Sequence, residues 1–140
     1  LMGLGAYPAS DKQFLNMLGM HGSYEANMAM AHCDVMINVG ARFDDRITGR
    51  VDAFSVDSKK IHIDIDASEM NKNILVDVPV VGDARIVLEE MIKAWKERKL
   101  SLDKNALAKW WKQVEDWRKL DSFAFKQPKK GKIKPQFALD

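Results

Sequence analysis

The densest group of charged side chains in this sequence directly follows an apolar run. The group comprises Arg42, Asp44, Asp45 and Arg46. It comes after the predicted buried strand 34–39 and Gly40, and ligands of open parallel sheets sit beyond the carboxyl ends of such strands. Because glycine lets a backbone approach a ligand closely and arginine grips a phosphate with a planar fork, we expect Arg42 to contact a phosphate or a ring and Asp44 a hydroxyl. The alternative is a surface loop whose charges neutralise one another.

Two further predicted strands, 60–64 and 76–81, also end beside acidic residues. Asp64 is similar in position to the acidic residue that hydrogen-bonds a ribose in dinucleotide-binding folds. Asp66 could do the same or could cap the following turn. Gly82-Asp83 repeats the arrangement of strand, glycine, acid and helix. Three such strand ends favour an extended ligand rich in hydroxyl and phosphate groups.

Two glycine-containing segments are weaker candidates for ligand contact. The pair Gly3 and Gly5 could cradle a phosphate or a flat ring, or could form a simple turn. His21 lies just before the predicted helix 22–32, where backbone donors favour an anion; it could add a donor or serve only as a cap. The histidines and Cys33 lack the spacing of zinc ligands, and no nucleophile stands beside a base, so we do not expect nucleophilic catalysis within this chain.

The order of the predicted elements indicates an α/β fold. We expect a partial doubly wound, Rossmann-like parallel sheet flanked by helices and followed by a linker helix. A strand end in 1–8 opens the chain, a capped turn lies at 67–73, and a helix begins at 82–83. Pro79 places its strand at a sheet edge or at a gap in the pairing. Only about three strands are visible, so we expect the first half of the sheet to be absent.

Composition narrows the class of protein. The 140 residues are 46% hydrophobic and 30% charged, as in one soluble globular domain. The net charge of +2 is too small to attract nucleic acid or a membrane surface electrostatically. Cys33 is the only cysteine, which favours a reducing, cytosol-like compartment and a buried position near a helix end. No signal peptide or membrane span is predicted. The first and last residues suggest a piece of a longer chain.

The predicted helix 101–120 carries an aromatic stripe. Its members are Leu107, Trp110, Trp111, Val114, Trp117 and Leu120. Aromatic residues beside lysines can stack on nucleic-acid bases. The helical spacing instead favours a helix packed on its own or a neighbouring domain. The basic segment 126–134 is predicted to be a solvated linker.

Four segments resemble a known family. They are Leu18-Gly19-Met20-His21-Gly22, the run from Asn38 to Gly49, His62-Ile63-Asp64-Ile65-Asp66, and Val81-Gly82-Asp83. Together they are similar to the central domain of acetolactate synthase, also called acetohydroxyacid synthase, in its biosynthetic, flavin-containing branch. The resemblance covers nearly the whole chain.

The resemblance implies a large catalytic subunit that joins two pyruvates, or pyruvate and 2-oxobutyrate, with loss of carbon dioxide in branched-chain amino-acid synthesis. It implies thiamine diphosphate and magnesium in other domains and FAD, without net redox change, in this one. A homodimer or homotetramer with a possible small regulatory subunit is expected. The expected location is the cytoplasm, or a plastid or mitochondrion in a eukaryote.

The resemblance also assigns residues by position. The implied flavin contacts are Gly3, Gly5, Met20, His21, Gly40, Ala41, Arg42, Asp44, Arg46, Asp64, Gly82 and Asp83. Met20, Asp45 and Arg46 would also lie near the substrate channel. Residues 1–100 would form the later part of the flavin domain, 101–134 a linker, and 135–140 the start of the thiamine-diphosphate domain. Since the family's catalytic glutamate and metal-binding motif belong to other domains, we expect no acetolactate from this polypeptide alone. The alternative is a free-standing nucleotide-binding module that regulates a partner.

Overall fold

A parallel three-stranded sheet organises the computed structural model, which describes residues 2–139. The strands are β1 (Val35–Val39), β2 (Lys59–Asp64) and β3 (Val78–Val81), in the order β1-β2-β3. Both pairings are parallel, with Ile61 of β2 opposite Ile37 on one side and Val78 on the other. The predicted α/β class and the edge position of the strand that contains Pro79 are therefore confirmed, and all three strands end at the same side of the sheet.

Among residues 2–139 there are five helices, four of which begin at a side chain that caps the first amide groups. They are α1 (Tyr24–His32), α2 (Asp45–Thr48), α3 (Ala84–Glu97), α4 (Lys104–Arg118) and α5 (Pro135–Leu139), with 3-10 turns at Val51–Ala53 and Ala67–Glu69. Ser23 caps α1, and aspartates cap α2, α3 and α4. Such caps satisfy amides that have no partner within the helix. No helix among residues 2–139 has the length and apolar character that crossing a membrane requires.

The core lies on the face of the sheet that carries His62. It consists of Phe43, Phe54 and Ile74, each 6% exposed, with Met30, Met36 and Val76 packed against it. The rings of Phe43 and Phe54 meet edge to face at 5.7 Å, as aromatic pairs prefer. Because Phe43 belongs to the charged loop after β1, burial of its ring anchors that loop to the sheet.

The opposite face of the sheet is covered unevenly. Ile63 of β2 has no exposed surface, and α3 contacts β2. On β1, however, Val35, Ile37 and Val39 remain 50%, 49% and 39% exposed. The prediction that this strand is buried is wrong for this face, because α3 packs over the central strand and β1 lies at the edge.

The predicted strand end at 1–8 is also wrong for the residues that the structure describes. Residues 2–8 form exposed turns and bends, closed by a bond of 3.1 Å from Ala6 N to Gly3 O. A strand requires a neighbour that accepts its ladder hydrogen bonds, and these residues pair with none among residues 2–139. Leu1, at the start of this prediction, and Asp140, at the end of the predicted segment 135–140, lie outside the described residues.

Helix α4 packs against α1, as the interpretation of its stripe as a packing surface predicts. Val114 is fully buried, and the Trp117 ring lies 5.5 Å from that of His32. Arg118 donates to the carbonyl oxygens of Lys12 and Phe14 at 2.6 and 2.9 Å, which fastens the N-terminal loop. Parts of two predicted apolar faces are nevertheless exposed: Leu107 of α4, Leu120 in the turn after it, and Ile86 and Trp95 of α3.

A clasp of hydrogen bonds joins the turn at 17–22 to the charged loop. The Asn27 amide accepts from Gly19 N at 2.7 Å and donates to Gly19 O at 3.0 Å. Met20 N then donates to Arg46 O at 2.8 Å. Gly19 has φ +88°, and a Cβ there would lie 2.4 Å from Arg46 O. The approach of the two loops therefore depends on glycine at this position.

We expect Gly19→Ala to lower the free energy of unfolding by about 2 kcal/mol or more, because alanine would meet backbone strain and a rigid carbonyl oxygen. Chemical denaturation monitored by circular dichroism measures the loss. Gly49→Ala is the matched control, since Gly49 also has positive φ but has open space where the alanine methyl would lie. Equal losses in the two variants would contradict a steric role for Gly19.

Asp77 joins β3 to β2 just before their ladder begins. Its N–H donates to Lys60 O at 2.9 Å, and its Oδ2 accepts from Lys60 N at 2.8 Å. Lys59 Nζ donates to Oδ1 at 2.9 Å. The Lys60 amide, and after it Lys59, lowers the pKa of the Asp77 carboxyl.

We expect Asp77→Asn to destabilise the fold at neutral pH. A lowered folded-state pKa means that the carboxylate stabilises the fold fully above the unfolded pKa of about 3.9 and loses this effect as pH falls through the lower folded value. The difference between parent and variant in the free energy of unfolding should therefore shrink below about pH 4. Urea titrations across pH measure it, with exposed Asp57→Asn as the control; a difference independent of pH would contradict the assignment.

Candidate functional site

The carboxyl edge of the sheet brings three predicted strand ends together. Gly40 N donates to Ile63 O at 2.8 Å and Gly82 N donates to Asp64 O at 2.9 Å, which continues the ladders beyond β1 and β3. A cleft of about 280 Å³ opens beside them. It is lined by Gly40, Ile63, Asp64, Ile65, Asp83 and Ala84. Such an edge is where ligands of open α/β sheets bind.

Two asparagines hold the loop that follows Gly40. Asn38 Nδ2 donates to Ala41 O at 2.6 Å, and Asn73 Nδ2 donates to Arg42 O at 3.1 Å. The Arg42 side chain is 64% exposed, and its guanidinium lies 3.9 Å from Asp44 Oδ2. This long, exposed ion pair does little to neutralise the arginine, so the guanidinium can take a ligand.

Three of the candidate acids cap local structure. Asp44 accepts from Arg46 N at 3.2 Å, and Asp83 accepts from the amides of Arg85 and Ile86 at 3.0 and 3.2 Å. Asp66 accepts from Ser68 N at 2.9 Å, and hydrogen bonding to Ser68 lowers the pKa of the Asp66 carboxyl. Of the two predictions for Asp66, the capping role is the one observed. Capping likewise occupies one carboxylate oxygen of Asp44 and one of Asp83.

Asp64 differs from these acids because it caps no helix. Its side chain is only 11% exposed at the edge of the cleft. Oδ1 accepts from Asp66 N at 2.9 Å, and Oδ2 lies 4.0 Å from Nε2 of His62. An ionised carboxylate can accept about four hydrogen bonds. Asp64 therefore keeps acceptor capacity that a hydroxyl-bearing ligand can use.

Met20 and His21 form the corner of the turn at 17–22, and both are exposed. The clasp to Arg46 O places Met20 beside the charged loop, where Asp45 and Arg46 are also exposed. At the start of α1, where an anion site was predicted, two amides are engaged within the chain, since Tyr24 N donates to Ser122 Oγ and Ala26 N to Ser23 Oγ. His21 does not cap α1, since Ser23 does.

Two candidates do not line the cleft, and the sequence did not predict the asparagines that hold its loops. Gly3 and Gly5 are exposed, and no neighbouring atom comes within 4 Å of a Cβ built on either. Within residues 2–139, acidic, histidine and cysteine side chains form no cluster of three that could hold a metal ion.

Asn27, Asn38 and Asn73 were not predicted to position the loops. Only Asn38, as a polar break in an apolar strand, carried a signal.

Comparison with known proteins matches this sequence to a family. The family model for the central domain of thiamine pyrophosphate enzymes matches residues 1–91. The chain is 43% identical over 140 residues to acetolactate synthase isozyme 3 large subunit of Escherichia coli (strain K12), covering all of this chain and 24% of that protein. It is 46% identical to the acetolactate synthase large subunit of Haemophilus influenzae, with the same coverage.

A more distant relative extends the pattern. An acetolactate synthase of Mycobacterium bovis is 37% identical over 140 residues, which cover all of this chain and 22% of that protein. The chain thus spans about a quarter of the length of the curated relatives it matches. These similarities confirm the resemblance that the Met-His-Gly and Arg-Phe-Asp-Asp-Arg segments predicted. The chain belongs to the family of thiamine pyrophosphate enzyme central domains.

Proposed function

We propose that this chain forms part of the flavin-binding central domain of an acetolactate synthase large subunit. The observation that carries the proposal is the convergence of Gly40, Asp64 and Asp83 on one cleft from three separate strand ends. The relatives named acetolactate synthase support the same assignment. The loop that carries Arg42 borders this cleft through Gly40.

The chemistry of the cleft fits a section of FAD. Its volume of about 280 Å³ is near the lower end of ligand pockets, which span roughly 300–1,000 Å³, so it suits one part of an extended dinucleotide. Asp64 would accept from a ribose hydroxyl, and the exposed Arg42 guanidinium would pair with the diphosphate. The N-terminal end of α3 at Ala84 adds a favourable dipole for negative charge.

The complete protein would join two pyruvates, or pyruvate and 2-oxobutyrate, with decarboxylation. Thiamine diphosphate, with magnesium, would supply the carbanion chemistry, and FAD would be held without net redox change. Met20, Asp45 and Arg46 would border the substrate channel from the side of the turn that the Gly19 clasp fixes. We propose a homodimer or homotetramer, with a small regulatory subunit as a possible partner.

We expect Arg42→Ala to weaken flavin binding about tenfold or more, because a charge-assisted hydrogen bond contributes roughly 1.5–3 kcal/mol. The protein is purified at the length that its gene encodes, and the flavin absorbance per polypeptide and the Kd for added FAD are measured. Arg50→Ala is the matched control, since Arg50 is an exposed arginine that pairs with Asp52 at 2.6 Å and follows α2 instead of lying in the loop directly after Gly40.

The result separates four possibilities. Loss of flavin in the Arg42 variant alone supports the site, and equal loss in both variants indicates a general effect of charge. A flavin content unchanged by Arg42→Ala counts against the proposed contact. A protein that binds no FAD at its full length overturns the function itself.

A further inference from the structure

His62 is a buried polar side chain whose position the fold alone does not explain. It has no exposed surface, and neither ring nitrogen has a hydrogen-bond partner among the described residues. Burial of an unsatisfied polar group is unfavourable, and native structures contain few such groups. An apolar residue would fill this place in a parallel strand at lower cost.

The His62 ring lies between two parts of the proposed flavin site. Its Nε2 is 4.0 Å from Asp64 Oδ2, on the same face of β2. It also contacts the ring of Phe43, edge to face at 5.1 Å. Phe43 follows Arg42 directly in the charged loop. One buried ring therefore touches both the residue beside Arg42 and the acid at the cleft.

We propose that His62 is a positioning residue that orients the Asp64 carboxylate and the Arg42 loop toward a shared ligand. This inference rests on the proposed flavin site. In the tautomer that carries its proton on Nε2, the ring has an N–H donor 4.0 Å from Oδ2. A movement of about 1 Å brings the two atoms within hydrogen-bond distance.

The hydrogen bonds of Asp64 explain why such a donor is useful. Oδ1 is held by Asp66 N at 2.9 Å, so the carboxylate is fixed on one side only. A donor at Oδ2 fixes the other side and leaves the remaining lone pairs for a ligand hydroxyl. The contact with Phe43 keeps the loop in register with this carboxylate, because Phe43 belongs to the buried core.

His62→Phe separates positioning from packing. Phenylalanine keeps an aromatic ring against Phe43 and removes both unsatisfied nitrogens, so we expect the unfolding midpoint in urea to be unchanged or higher. We expect the Kd for FAD to rise about three- to tenfold in the protein at its full encoded length. His62→Gln retains a nitrogen donor and should recover part of the lost affinity.

A double-mutant cycle tests whether His62 acts through Asp64. Asp64→Asn alone should weaken flavin binding, and adding His62→Phe to it should cause little further loss, because coupled residues are not additive. Full additivity would overturn the positioning role. So would equal Kd values for the parent and His62→Phe. If His62→Phe does not fold, His62→Leu replaces it in the same comparison with His62→Gln.

These outcomes stand apart from those of the Arg42 test. If Arg42→Ala loses flavin while His62→Phe retains the parental Kd, the site stands and the role of His62 is wrong. If full-length protein binds no FAD, the proposed function fails first, and the inference about His62 falls with it.

Discussion

The pairing of β2 with a parallel strand on each side is the constraint on which the rest of the structure depends. Ile63 and His62 of this strand have no exposed surface, so β2 is fixed from both faces. The ladders run on to Gly40 and Gly82, whose amides donate to carbonyl oxygens of β2. Parallel pairing forces the following loops to leave from one edge. The cleft exists because those three exits are neighbours.

The loops at this edge are held by local hydrogen bonds and by one buried ring. Aspartate caps start α2 and α3 at fixed points, and asparagine amides hold the carbonyl oxygens of Ala41 and Arg42. Phe43 is drawn into the core immediately after Arg42. Since the backbone is held on both sides of the guanidinium, the arginine can remain exposed without the loop losing its shape. Sites supported in this way keep their geometry better than sites on free loops.

Much of this arrangement could be predicted from the sequence because its causes are local. Apolar runs bounded by glycine and aspartate predict β1, β2 and the helix cap at Asp83, and Pro79 predicts an edge strand. Burial was harder to predict. Val35, Ile37 and Val39 are as apolar as a core strand but half exposed, because their burial depends on what covers an edge. The Asn27 contact joins residues eight positions apart and the Asn73 contact residues 31 positions apart, and a lone asparagine does not reveal its partner.

The acids of the site show why residue type alone does not assign a role. Asp44, Asp66 and Asp83 lie where a carboxylate could contact a ligand. Each nevertheless accepts a hydrogen bond from a backbone amide at the start of a helix or turn. Asp64 follows the same pattern of strand end and acid, but it caps no helix and lies largely buried beside His62. A carboxylate in such a place requires partners, because burial of an unpaired charge is costly. Asp66 N supplies one on the protein side, and a ligand hydroxyl at the cleft would supply another.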